Sequence, residues 1–108
     1  MVDIYRTLIS ENAEKDLLEA YLWIEKEAPQ SASSWVAGLL ESIASLETLP
    51  ERCPLAPENG VFEEEIRVHL YRRSSTYRIL FTIRVDQVVI LYIRHSARNL
   101  VHPEESDT

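Results

Sequence analysis

The chain has 108 residues, of which 45% are hydrophobic and 27% are charged, with two glycines, five prolines and one cysteine. This length and composition are typical of one folded domain rather than a disordered or multi-domain chain. No apolar run approaches the ~20 residues of a membrane-spanning helix. The N-terminus also lacks the basic start and long apolar stretch of a signal peptide. We therefore expect a cytoplasmic protein with neither an internal disulfide nor a cysteine metal cluster.

Charge is divided unevenly along the chain. The net charge of −7 argues against general nucleic-acid binding. Residues 1–65 hold four Lys/Arg and 14 Asp/Glu, whereas residues 66–99 hold seven arginines, no lysine and one acid. Arginine suits planar recognition of carboxylate or phosphate. The arginine-rich half is predicted either to bind such groups or to pair with acids on the helices.

The first half of the chain predicts a short strand and a pair of helices. Residues 3–9 alternate as a strand rich in β-forming residues does. Ser10 is a candidate N-cap for a helix over 11–28, which has apolar residues at helical spacing and ends before Pro29. A second helix is predicted over 30–49. The short gap between the two helices indicates an antiparallel hairpin.

Both tryptophans fall within these helices. Trp35 lies in the apolar stripe of the second helix, and Trp23 lies beside the stripe of the first. Large aromatic side chains on or next to such a stripe usually pack in the core. We therefore expect both to be buried.

The second half of the chain predicts a long loop followed by three strands. Residues 50–64 contain three prolines and one glycine, and the prolines favour a pinned loop over a mobile one. Strands are predicted over 66–72, 76–85 and 87–95. The last strand is apolar on both faces, which is typical of a central strand.

The predicted element order is β-α-α-β-β-β. It indicates an α+β fold with a mostly antiparallel four-stranded sheet and a helical hairpin on one face. One domain is expected over residues 4–98, with a polar, flexible tail over 99–108. The last hairpin turn is predicted at Asp86-Gln87. Alternation places Arg67 and Arg78 on the sheet face opposite the aliphatic core residues of their own strands.

Six phrases of the sequence occur together in a characteristic order. They are "AEKDLLEAYLWI", "SLETLP", "RCPLAPEN", "EEIRVHLY", "YRILFTI" and "VVILYIRHSAR". Over about residues 4–98 this order resembles the RelE/ParE superfamily of toxins from bacterial type II toxin–antitoxin systems, especially its plasmid stabilization proteins. The resemblance implies the fold described above and a small antitoxin that wraps and neutralises the toxin. It also implies action on macromolecular partners without a metal or cofactor.

The resemblance leaves two targets open, because RelE-type members cut mRNA in the ribosome and ParE-type members block DNA gyrase. Metal-independent RNA cleavage needs a base, cations that stabilise the phosphate charge, and an acid for the leaving oxygen. The candidate for proton transfer is His95. The candidates for phosphate contact are Arg67 and Arg78 as catalytic cations, with Arg94 and Arg98 as target-binding groups.

A carboxylate base is also implied for the ribonuclease, since some superfamily nucleases pair a glutamate with a histidine. Glu63, Glu64 and Glu65 are the candidates, and no spacing argument selects among them. The alternative for His95 is a strand-end side chain hydrogen-bonded to the backbone or to a loop carboxylate. For Arg67 and Arg78 the alternative is a charge pair with the acidic loop or with the antitoxin.

The charge of the chain favours the gyrase target. A ribosome-binding protein benefits from positive charge, whereas this chain is acidic and has no lysine after Lys26. A third hypothesis is an inactive module that only binds its antitoxin, in the groove between helices and sheet or by strand addition. The sequence therefore predicts a type II toxin, with gyrase inhibition preferred over mRNA cleavage.

Overall fold

The structure, a computed structural model, describes residues 4–73 and 75–96. Its elements are β1 (Arg6–Ile9), α1 (Glu11–Glu27), α2 (Pro29–Ala44), β2 (Arg67–Arg73), β3 (Ser75–Arg84) and β4 (Gln87–His95), with two 3-10 turns, Ser45–Glu47 and Pro50–Arg52, after α2. The predicted element order and α+β class are confirmed. The predicted tail over 99–108 and the candidate Arg98 lie outside the described residues.

The four strands form one sheet in the order β1-β4-β3-β2. β1 runs parallel to β4, while β3 is antiparallel to both β4 and β2. The sheet is therefore mostly antiparallel, as predicted. β4 lies between β1 and β3, which explains why its sequence is apolar on both faces.

Local sequence signals fix both ends of α1 and the start of α2. The Ser10 hydroxyl accepts a hydrogen bond from the Ala13 backbone N–H at 3.1 Å, so it caps α1 as predicted. Pro29 ends α1 and begins α2, where its fixed φ suits the first helical turn. The second helix stops at Ala44 rather than at residue 49. The two 3-10 turns take its place, and Leu49, which precedes a proline, adopts a left-handed φ of 49°.

The main core lies between the helical hairpin and one face of the sheet. Trp35 is 3% exposed and its ring packs edge-on against Tyr71 and Tyr77, which confirms its predicted burial. Trp23 is 61% exposed, so the prediction that it joins the core is wrong. It lies on the flank of α1 just outside the buried stripe that contains Ala20.

A second, smaller apolar cluster lies on the opposite face of the sheet. The segment 56–66 crosses this face and covers the side chains of β2, β3 and β4 there. The buried members of the cluster are Ala56, Ile66, Val68, Leu80 and Tyr92, with Phe62 and Leu91 packed against them. Both faces of the sheet are therefore partly covered, one by helices and one by the loop.

The two-sided core changes the expected orientation of the arginines. Val68 of β2 lies opposite Leu80 of β3 in the loop-covered cluster, so the aliphatic residues of β2 face the loop. Arg67 therefore faces the helix side, whereas Arg78 faces the loop side. The prediction that alternation brings these two arginines to one face is wrong, because the aliphatic residues of β2 and β3 belong to different cores.

The proline-rich loop is held to the edge of β2 by backbone hydrogen bonds. The Ala56 N–H donates to the Ile66 carbonyl at 2.8 Å, and the Val68 N–H donates to the Pro54 carbonyl at 3.0 Å. The Asn59 side-chain oxygen accepts from the Ile66 N–H at 2.9 Å. These contacts confirm the expectation of a pinned loop.

The last hairpin turn lies one residue earlier than predicted. Arg84 pairs with Gln87 in the β3–β4 register, so the two turn residues are Val85 and Asp86. Val85 is 96% exposed and has a φ of 55°, a region that β-branched residues rarely adopt.

Candidate functional site

A cavity of about 450 Å³ opens beside the C-terminal end of β4. β1 ends at Ile9, opposite Ile90, so residues 91–95 of β4 extend beyond it. The flank of α1 faces this uncovered edge. The cavity is lined by Asp16, Glu19, Ala20, Trp23, Tyr77, Ile93, Arg94 and His95.

His95 is half-buried at the end of β4 on the helix side of the sheet. It pairs with Tyr77 across the β3–β4 ladder, and the two rings pack edge-to-face with centroids 5.2 Å apart. Tyr77 in turn packs against the buried Trp35. The imidazole is thus positioned by a fixed aromatic neighbour and faces the cavity.

Asp16 binds the uncovered edge of β4 where a neighbouring strand would otherwise pair. Its Oδ2 accepts hydrogen bonds from the Ile93 backbone N–H at 2.9 Å and from Arg94 Nε at 3.1 Å. Burial raises the pKa of the Asp16 carboxyl, against the opposing effects of the Ile93 hydrogen bond and the Arg94 charge. Arg94 also lies 5.1 Å from the centre of the Tyr92 ring. The hydrogen bond to Asp16 and the contact with the Tyr92 ring together hold the Arg94 guanidinium at the strand edge.

Arg78 does not reach the cavity. Its Nη1 donates to both carboxylate oxygens of Glu58, at 3.0 and 2.8 Å, and Glu58 is fully buried beneath the loop. Arg78 Nη2 is buried without a hydrogen-bond partner in the described part of the chain. This arginine therefore joins the loop to the sheet, the alternative that the sequence left open.

Arg67 is held at the opposite end of the sheet from His95. Its Nη1 donates to the carbonyls of Glu51 and Cys53 at 3.2 and 2.6 Å, and its Nη2 pairs with Glu65 at 3.0 Å. Along β3, its partner Phe81 lies four residues from the partner of His95, or about 13 Å. The structure does not bring His95, Arg67 and Arg78 together.

The three candidate glutamates lie apart from His95 as well. Glu64 forms a two-point ion pair with Arg84 at 2.6 and 2.7 Å, and the hydrogen bond from Arg84 lowers the pKa of the Glu64 carboxyl. Glu65 pairs with Arg67, and Glu63 is exposed. The cavity is lined by none of them.

Two further titratable groups lie close together on the helix side of β2. Cys53 Sγ is 3.8 Å from His69 Nδ1, and burial raises the pKa of the thiol and lowers the pKa of the imidazole. Burial therefore favours the uncharged form of each. Over residues 4–73 and 75–96, no group of three or more His, Cys, Asp or Glu side chains could hold a metal ion.

The sequence does not reveal the roles of two residues, which are Glu58 beneath the loop and Trp23 in the cavity wall. Glu58 lies in an irregular loop, where no periodicity signals which acid is buried. The position of Trp23 did indicate its exposure, because it lies off the apolar stripe of α1 that Ala20 and Ile24 define. The general tendency of tryptophan to be buried led to the opposite prediction.

Comparison with solved structures finds a protein with a similar fold. A structure described as the chromosomal ParDE TA system from P. aeruginosa is similar, with a TM-score of 0.70 and 16% sequence identity. The match covers 86% of this chain and 97% of that chain. The match shows that the two proteins share the same fold, two helices on a mostly antiparallel sheet.

Sequence comparison identifies the family. A family model described as the ParE toxin of the type II toxin–antitoxin system parDE matches residues 8–100, so the chain belongs to the ParE toxin family. A search of curated proteins finds no match. In the part of the chain that the structure describes, no helix combines the length and apolar character needed to cross a membrane.

Proposed function

We propose that this ParE-family chain inhibits DNA gyrase and is neutralised by a cognate antitoxin. The observation that carries the proposal is the separation of the groups needed for RNA cleavage. Arg78 already forms a buried ion pair with Glu58. Arg67 donates hydrogen bonds to backbone carbonyls far from His95. A proton-transfer group without these two cations beside it supports target binding rather than phosphodiester cleavage.

The charge distribution also supports this preference. The chain carries −7 overall, and most of its described arginines already have carboxylate partners: Arg6, Arg67, Arg78, Arg84 and Arg94. Few cationic groups remain for a ribosomal RNA surface, whose binding depends on neutralised phosphates. Binding to a protein target such as gyrase does not require cationic groups that neutralise phosphates.

The antitoxin binds, in this proposal, along the outer edge of β2. The loop covers the start of that strand, through Val68. From Leu70 to Arg72 the outer edge has no backbone partner within the described residues. An unpaired edge is a template for an added strand. Leu70 is 39% exposed there, and Arg72 is exposed beside it, which favours an acidic segment with an apolar residue.

Purified chain should be tested against both targets in parallel. With DNA gyrase and relaxed plasmid, we expect loss of supercoiling and accumulation of cleaved DNA. In a translating extract, we expect mRNA to remain intact. Cleavage of mRNA that is abolished by His95→Gln, with gyrase unaffected, would contradict the proposal. Normal growth when the chain is expressed without an antitoxin would contradict any toxin activity.

The antitoxin surface has its own test. A small open reading frame directly upstream should encode a protein that co-purifies with this chain. Arg72→Glu should weaken that complex, since it places a like charge against the added acidic strand. Arg6→Glu makes the same charge change on β1, where Arg6 is 69% exposed, and should leave the complex intact. Equal weakening by both variants would rule out the β2 edge.

A further inference from the structure

The outer surface of α1 exposes three large apolar side chains. Leu18, Leu22 and Trp23 are 57%, 52% and 61% exposed. Leu18 and Leu22 are one helical turn apart and form a single apolar patch. The buried stripe of this helix lies on another face, at Ala13 and Ala20. Grouped apolar side chains on a helix surface mark a contact with another molecule more often than isolated ones do.

The same helix is strongly acidic. Its 17 residues include two lysines and six acids, which are Glu11, Glu14, Asp16, Glu19, Glu25 and Glu27. The apolar patch therefore lies in a negative field. A partner that binds this face must carry positive charge, because phosphate groups and acidic peptides would be repelled.

Trp23 joins this face to the cavity at the end of β4. Its indole lines that cavity together with Tyr77 and His95, so aromatic rings form much of the wall. Ala20 and Ile93 supply apolar wall between them. The cavity can thus receive a side chain with a long apolar stem from a molecule that lies on α1.

The charges inside the cavity determine which side chain fits. Asp16 and Arg94 offset each other through their 3.1 Å contact. Glu19 is exposed and forms neither a hydrogen bond nor an ion pair within residues 4–73 and 75–96. One carboxylate therefore remains uncompensated beside the Trp23 indole, and aromatic rings with a nearby carboxylate attract a lysine or arginine side chain.

We propose that the outer face of α1 and the cavity beside Trp23 form a docking surface for a basic protein segment. Leucine side chains of the segment pack on Leu18 and Leu22, and one of its arginine or lysine side chains enters the cavity beside Glu19. The surface is distinct from the β2 edge, which favours an acidic segment. The proposal is independent of the cellular target, since it concerns only the chemistry of the bound segment.

Binding should be measured with the full chain and a fluorescein-labelled peptide of alternating Leu-Leu and Arg-Arg pairs. A peptide with glutamate in place of arginine and a single-stranded oligothymidine provide the comparisons. Fluorescence anisotropy gives the affinity. Unlabelled arginine peptide should also change the tryptophan emission, and Trp23→Phe should abolish that change because the remaining Trp35 is buried.

The expected result is binding of the arginine peptide alone. Glu19→Gln should weaken it about five- to tenfold, through loss of one ion pair in a partly enclosed site. Trp23→Ala should weaken it by more than about tenfold, through loss of the aromatic wall and apolar area. Glu41→Gln is the matched control, because it removes one exposed carboxylate from α2 that does not line the cavity.

Three outcomes would overturn the proposal. The first is equal weakening by Glu19→Gln and Glu41→Gln, which would indicate a diffuse electrostatic attraction. The second is preference for the glutamate peptide or the oligonucleotide. The third is self-association of the chain that Trp23→Ala abolishes, which would make a second copy the occupant. Glu19→Gln and Trp23→Ala both change exposed residues. Denaturation midpoints equal to that of the parent protein would establish that both variants fold.

Discussion

Arg78 and Glu58 form a two-point ion pair beneath the proline-rich loop, with the carboxylate fully buried and the guanidinium side chain 11% exposed. The pair ties the loop segment to the middle of the sheet. The pair lies next to the apolar cluster that contains Leu80, since Arg78 and Leu80 share one face of β3. This contact between residues 20 positions apart therefore adds a buried side-chain link to the backbone hydrogen bonds that hold the loop on the second sheet face.

Removal of one partner from this pair should destabilise the fold strongly. Arg78→Met leaves the Glu58 carboxylate buried without its counter-charge, which costs about 3–5 kcal/mol in comparable pairs. Glu58→Leu should have a similar effect on the free energy of unfolding. Urea denaturation of each variant, with the signal followed by far-UV circular dichroism, measures the loss.

The double variant and an exposed pair provide the controls. Arg78→Met combined with Glu58→Leu should recover most of the loss, since apolar replacement of a whole buried pair is often neutral. Glu64→Gln breaks the pair with Arg84, whose side chains are 42% and 49% exposed, and should cost less than about 1 kcal/mol. A loss in the double variant equal to the sum of both singles would show that the charges stabilise the fold independently.

Local patterns in the sequence predicted the elements because those elements depend on local chemistry. Ser10 caps α1 and Pro29 separates the helices. Alternation predicts β2 and β3, and a run that is apolar on both faces predicts β4, each to within one residue of its observed ends. The sequence did not predict which element covers each face of the strands. Val68 is buried by a loop rather than by the helices, and alternation alone cannot tell one cover from the other.

The candidate site was predictable only in part for the same reason. His95 was identified at a strand end, and it does line a cavity with Arg94. The grouping of His95 with Arg67 and Arg78 depended on their strands sharing one core face, which they do not. Residue type alone predicts that Trp23 lies in the core, although its exposure follows from its position one residue away from the buried stripe of α1.

Gly38 is required in α2 by a close approach from β2. A Cβ built at this position would clash with the Tyr71 hydroxyl, which donates a 2.8 Å hydrogen bond to the Trp35 carbonyl. Gly38→Ala should therefore destabilise the fold by about 1–3 kcal/mol, although alanine is favoured over glycine in a helix by about 1 kcal/mol. Thermal unfolding of the variant would measure the net effect.

The double variant Gly38→Ala with Tyr71→Phe tests the cause. Loss of the hydroxyl relieves the clash, so the double variant should be more stable than Gly38→Ala alone. A double-mutant cycle isolates this coupling. If Gly38→Ala is as harmful in the Tyr71→Phe background as in the parent protein, the clash has another origin, such as the Arg73 side chain that also lies near Gly38.

The β3–β4 turn offers a stabilising substitution. Val85 has a φ of 55° at the first turn position and is 96% exposed, so its side chain gains little from packing. Two-residue hairpins with positive φ at this position prefer glycine. Val85→Gly should raise the free energy of unfolding by about 0.5–1 kcal/mol. Gly60→Ala, at a φ of 96°, should lower it, and a decrease for Val85→Gly would contradict the strain argument.

Asp16 and Glu64 should give opposite pH dependences of stability. Burial raises the pKa of Asp16 in the folded state, so the folded state holds this proton more tightly than the unfolded state. The stability from this group is complete below its unfolded pKa and is lost as the pH rises through the folded value. The Arg84 hydrogen bond lowers the pKa of Glu64. Its contribution is therefore present above the unfolded pKa and is lost as the pH falls through the folded value.

These signs predict how two amide variants compare with the parent protein. The stability loss from Asp16→Asn should be greater at about pH 3.5 than at about pH 6, since the parent retains more of the contribution from the protonated carboxyl at the lower pH. The loss from Glu64→Gln should be greater at about pH 6 and should shrink toward about pH 3.5. Urea denaturation at the two pH values measures both. A loss from Asp16→Asn that grows toward about pH 6 would mean that the Ile93 hydrogen bond and the Arg94 charge outweigh burial.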